Sequence, residues 1–160
     1  MRMILLPLIA VAAAFPAWSA DAPAASAPSQ EQVIEQFRSD MQAKRSDIIA
    51  KNLTLTADQA AKFWPLFEQY QKEQNAIIEG QLKATQQYAD KFDKLTDADS
   101  TNYVNALLTR DTKMHELRVK WLAKFKTVVP AGVAARVIQI DRRLSLLAQL
   151  QLSSQIPLVR

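Results

Sequence analysis

The chain contains no cysteine, two glycines and one histidine in 160 residues. Without cysteine no disulfide can staple the fold, so stability has to come from packing alone. The glycines are Gly80 and Gly132, and no Asn-Gly or Asp-Gly pair occurs. That removes the strongest short-range hairpin signals and argues against a sheet. His115 stands alone, with no cysteine to join it in a metal set, and fits an exposed or capping helix position. Beyond the first residues the methionines are only Met41 and Met114. No Gly-rich phosphate loop, Gly-x-Ser-x-Gly elbow or pair of catalytic carboxylates stands out. The expectation is a protein that is not an enzyme and carries neither cofactor nor metal.

Long apolar runs are also scarce. Ile4 to Phe15 is a run of 12 residues, short of the ~20 that a membrane-spanning helix needs. It follows the basic start Met1-Arg2-Met3, ends at Pro16, and leads into the small residues around Ala17-Trp18-Ser19-Ala20. This order reads as a secretory signal over residues 1–20, cleaved near Ser19 or Ala20. An uncleaved anchor is disfavoured by the short core, and no membrane span is expected after cleavage. Residues 21–29 are rich in Ala, Pro and Ser and read as a flexible linker. Residues 30–160 are left as one helical domain, a typical single-domain length.

Abundant Ala, Gln, Leu and Lys favour helices throughout that domain. The first is expected over Gln30–Lys51, where Val33, Ile34, Phe37, Met41, Ile48 and Ile49 recur at helical spacing. The second starts after Thr56, whose hydroxyl can accept from the first turn while Gln59 reaches back to the Thr56 amide, a capping box. Phe63, Phe67 and Tyr70 then form one stripe, continued by Gln74, Ile77, Gln81, Thr85, Tyr88 and Phe92. Pro65 removes one backbone donor, so a bend is expected near Ala61–Pro65. The polar Gln74, Gln81 and Thr85 admit two readings: a partly wet helix middle, or core glutamines satisfied by neighbours. Thr96 caps a third helix, from Asp97 to about Val128, with Tyr103, Leu107, Met114, Trp121, Phe125 and Val128 on one face. A fourth, Ala131 to about Leu152, carries Val133, Val137, Ile140, Leu144 and Leu147 on one stripe and further leucines around it. So apolar a helix is buried on most sides or lies at a subunit contact.

The stretch Leu55-Thr56-Ala57-Asp58-Gln59 resembles the LTxxQ motif of the Spy/CpxP family of periplasmic helical proteins. Lys62-Phe63-Trp64-Pro65-Leu66-Phe67-Glu68-Gln69-Tyr70 is similar to the Phe-Trp-Pro variant of that family. The second motif would be Leu95-Thr96-Asp97-Ala98-Asp99, where Asp99 replaces the glutamine but can still serve the cap. The resemblance implies an all-α fold of four helices, with a long antiparallel central hairpin and assembly as an elongated homodimer. It also implies a periplasmic location and an ATP-independent chaperone-like or envelope-stress role, binding unfolded or partner polypeptides. The alternative within the family is a regulatory partner that docks on an envelope sensor without general chaperone activity.

Charge is divided unevenly. Residues 21–111 hold ten Lys/Arg against fourteen Asp/Glu, whereas residues 112–160 hold nine against two. The basic part can steer acidic partners towards it or simply keep a solvated face soluble. Nucleic acid is not expected as a partner, because the signal directs the chain away from it. The candidate client or partner surface comprises Lys113, Lys120 and Lys124 with Leu117 at their inner edge, beside Ile78 and Leu82. An apolar patch rimmed by cations can capture by charge and retain by apolar contact.

Overall fold

A computed structural model describes residues 30–159, with the side chains of residue 39 and residues 42–159. The expected signal and linker therefore lie outside the described residues. Four α-helices follow one another: α1 Gln30–Lys51, α2 Ala57–Asp90, α3 Asp97–Phe125 and α4 Ala131–Ser153. A single 3₁₀ turn, Phe92–Lys94, joins α2 to α3.

The starts of the two long helices are fixed by local chemistry. Thr56 Oγ1 accepts from the Gln59 amide at 3.3 Å and Gln59 Oε1 accepts from the Thr56 amide at 3.1 Å. The same reciprocal pair forms at Thr96 and Asp99, at 3.1 and 3.2 Å. Each box satisfies two of the donors that a helix start leaves without partners. Asp99 also accepts from Lys91 Nζ at 2.8 Å, so it ties the end of α2 to the start of α3.

The Lys91, Thr96 hydroxyl and Thr96 amide donors lower the Asp99 pKa from 3.8 to about 2. A depressed carboxylate contributes stability above its unfolded pKa and loses it as pH falls through the folded value. Asp99→Asn should therefore lower the melting temperature at neutral pH, and the gap from wild type should close between about pH 4 and pH 2. A gap that persists unchanged at pH 2 would refute this account.

α2 runs unbroken through Pro65. The proline and Ala61, whose carbonyl loses its donor, both lie on the exposed side, where water can serve the carbonyl in its place.

Antiparallel α2 and α3 form the backbone of the molecule, and α4 packs on α3 and on α1. Ser46 and the Gln42 carbonyl of α1 both meet Gln71 of α2. Arg118 meets Asp141 while Arg110, two turns earlier in α3, faces Gln149, two turns later in α4, so α3 and α4 also run in opposite senses.

The core lies in the lower half of the hairpin. Phe63, Phe67, Tyr70, Trp121 and Phe125 are all buried, with Phe63 and Phe125 ring centres 5.3 Å apart and Tyr70 and Trp121 5.9 Å apart. Ile49 of α1 and Ala134 and Val137 of α4 close the cluster. Towards the far end of the hairpin the packing thins to Tyr88 stacked on Tyr103 at 4.2 Å. Tyr88 Oη also donates to the Pro157 carbonyl at 3.2 Å, which draws the C-terminal tail alongside the hairpin.

Candidate functional site

Above the aromatic core the helices meet around one carboxylate. Asp141 of α4 has no exposed surface. Tyr70 Oη donates to its Oδ2 at 2.7 Å and Gln74 Nε2 to its Oδ1 at 2.9 Å. Arg118 Nε donates to Oδ2 at 3.2 Å. Arg45 Nε of α1 stands 3.4 Å from Oδ1 as an ion pair, and its guanidinium also donates to Gln74 Oε1. One anion thus receives α1, α2 and α3 together, and a buried charge is tolerated only when it is paired and hydrogen-bonded in this way.

Burial, reinforced by the Asp141 carboxylate, pushes the Tyr70 phenol far up, so it remains a donor. Neither Asp141 nor Tyr70 is reached by solvent, and the cluster works as an interhelical lock. Gln74 is therefore a core glutamine satisfied by neighbours. Gln81 pairs with Gln149 of α4, and Thr85 Oγ1 is buried without a hydrogen-bond partner.

A shallow groove between α3 and α4 is floored by Val119, Leu122, Ile138 and Leu146 and bordered by His115, Arg118 and Arg142. Val119 is 58% exposed, Leu146 56% and Leu150 67%, large values for aliphatic side chains that could have been turned inward. Arg142 has no ion-pair partner among the described residues. Contiguous apolar surface of this kind with a polar rim marks interaction sites.

The sequence-predicted surface is dispersed by the fold. Leu117 is only 6% exposed and belongs to the core. Lys120 holds Glu73 of α2 at 2.8 Å and lowers its pKa, helped by the Trp121 indole N–H. Lys124 Nζ sits 4.2 Å from the Trp121 ring centre, a cation–π contact. Lys113 is exposed and borders a shallow depression along α3. Ile78 and Leu82 lie apart from these lysines, in a groove formed with α1 and α4. Of the capping residues, Thr56, Gln59, Thr96 and Asp99 act as caps, and Leu55 packs against the core.

Sequence reasoning missed Asp141, Arg45 and Arg118, as well as the exposed leucines of α4. The available signal was an acid inside the apolar run Val137-Ile138-Gln139-Ile140-Asp141, one of only two acids after residue 111.

Among the described residues no helix is long and apolar enough to cross a membrane, and no group of 3 or more His, Cys, Asp or Glu is gathered to hold a metal. Comparison of the chain with protein-family models, with curated proteins and with solved structures gave no match.

Proposed function

We propose that this is an exported, periplasmic, ATP-independent chaperone-like or envelope-stress protein that holds unfolded or partner polypeptides on its α3–α4 face. The observation that supports it is the exposed apolar floor of Val119, Leu146 and neighbouring Leu150 beside Arg142, which has no ion-pair partner among the described residues. Apolar side chains retain an extended segment without demanding a sequence, and cations at the rim raise its rate of capture. The Spy/CpxP-like capping motif and the signal-like N terminus agree with this reading. The α3–α4 groove replaces the flank of Lys113, Lys120 and Lys124 as the contact face, because Lys120 and Lys124 are already engaged and Leu117 is buried.

The test is suppression of aggregation of a chemically denatured model protein, without ATP, at substoichiometric and equimolar ratios. The wild-type chain should suppress it. Val119→Asp combined with Leu146→Asp should abolish most of the suppression while changing stability by only about 0.5 kcal/mol per site, since both positions are exposed. No suppression at any ratio would end the chaperone reading. Suppression untouched by the double variant would move the contact away from this face. Pull-down from a periplasmic extract separates the regulatory alternative: one dominant membrane partner instead of many clients would favour docking on a sensor.

A further inference from the structure

We propose that the groove between α1, α2 and α4 binds a small amphipathic carboxylate, with its acyl chain on Ile78 and Leu82 and its head at Arg110 and Ser145. The groove holds about 290 Å³, near the lower end of the ~300–1,000 Å³ typical of small-molecule sites. Ile78 and Leu82 on α2 and Ala148 and Leu152 on α4 supply its apolar lining, beside glutamines such as Gln81 and Gln149. Two guanidiniums, Arg45 and Arg110, also line it, and no carboxylate is found among the described lining residues.

Three features in and beside this lining point to a missing anion. Ser145 Oγ is buried without a hydrogen-bond partner, although it borders the groove. A buried hydroxyl left idle is uncommon, and each such group calls for an explanation. Arg45 and Arg118 share the single carboxylate of Asp141, so among the described residues the interior beside the groove carries more positive than negative charge. Such an excess is costly unless it is compensated.

Arg110 is the third feature. Its side chain is only 11% exposed, yet its ion-pair partner Asp111 is 65% exposed. An ion pair with one partner in water is weak and exchanges readily for a ligand carboxylate. Within the fold Arg110 otherwise faces the Gln149 amide, whose oxygen accepts from it at 2.8 Å when turned towards it. A carboxylate at this point would receive charge-assisted bonds from Arg110 and a neutral one from Ser145, while apolar contact with Leu82 sets the chain direction.

The inference does not rest on polypeptide binding. Ile78 and Leu82 lie outside the α3–α4 groove, although Arg110, Ser145 and Gln149 stand between the two. Isothermal titration of the full chain with decanoate, below its aggregation concentration, reads the site directly, with decanol and decylamine as controls. Decanoate should bind with one site per chain, and decanol about tenfold or more weakly, the loss of a charge-assisted bond. Decylamine should do no better than decanol. Arg110→Gln should weaken decanoate about tenfold.

Ser145→Ala supplies a readout that a purely structural role would not give. The melting temperature should stay the same or rise, because the hydroxyl has no partner to lose, while decanoate affinity falls about fivefold. Absence of decanoate binding would overturn the proposal. So would equal affinity for decanoate and decanol, or affinity unchanged in both Arg110→Gln and Ser145→Ala.

Discussion

Asp141→Ala is expected to lower the unfolding free energy by about 3–5 kcal/mol, the cost of removing one partner from a buried ion pair. The carboxylate is fully enclosed and accepts from Tyr70, Gln74 and Arg118. Its removal strands the Arg45 guanidinium and the Tyr70 phenol away from water and leaves the partly exposed Arg118 without its anion, and the loss is that desolvation rather than the net value of the bonds. Leucine at this position should fare no better, since Arg45 and Arg118 would remain unpaired. Urea unfolding followed by circular dichroism checks this, with the midpoint falling and the slope unchanged. Against a whole-domain stability of ~5–15 kcal/mol, the variant could unfold at ambient temperature. A loss below ~1 kcal/mol would show that the cluster is not the lock described above.

Phe125→Ala should cost a comparable ~3–5 kcal/mol for a different reason. Phe125 is fully buried and its ring centre lies 5.3 Å from that of Phe63, 5.7 Å from Tyr70 and 5.6 Å from Trp121. These neighbours come from rigid stretches of two long helices, so the void cannot close by local collapse. Trp121 emission should shift to longer wavelength as water gains access to the indole. Phe125→Leu, which keeps most of the volume, should recover much of the loss. Leu108→Ala, at an exposed site on the same helix, should change stability by no more than about 0.5 kcal/mol. Equal effects at Phe125 and Leu108 would contradict the placement of the core.

The helices and their starts were legible from local chemistry. Thr56 with Gln59 and Thr96 with Asp99 are short-range signals, and period-3.6 aromatic spacing marks the buried face of α2 and α3 without knowledge of the partner. α2 ends at Asp90 and α3 at Phe125, two or three residues short of the expected positions, where apolar Phe92 and Val128 extend the pattern past the last helical hydrogen bonds.

The buried line of α4 was not legible. The sequence favours Val133, Val137, Ile140, Leu144 and Leu147, whereas Ala134, Val137, Asp141 and Ser145 face inward and Leu147 is exposed. Hydropathy assigns polar and small residues outward. Here a carboxylate inside is stabilised by donors from α2 and α3 and by the Arg45 charge of α1, which no pattern along one helix can disclose. Displacing the leucines outward follows from the same rotation, and it is the origin of the α3–α4 face. The candidate surface failed to assemble for a related reason: Leu117 and Lys120 are three residues apart, so a small rotation of α3 puts one in the core and the other on Glu73.

A carboxylate that gathers partners from every other helix also restricts how the chain can diverge. Arg45, Gln74, Arg118 and Asp141 belong to separate segments, yet a neutral replacement at one strands the others. Descendants of this sequence should keep the set intact or exchange it wholesale for apolar residues, with few viable intermediates. The leucines turned to solvent on α4 carry no such mutual debt and are free to drift one at a time with whatever the protein meets.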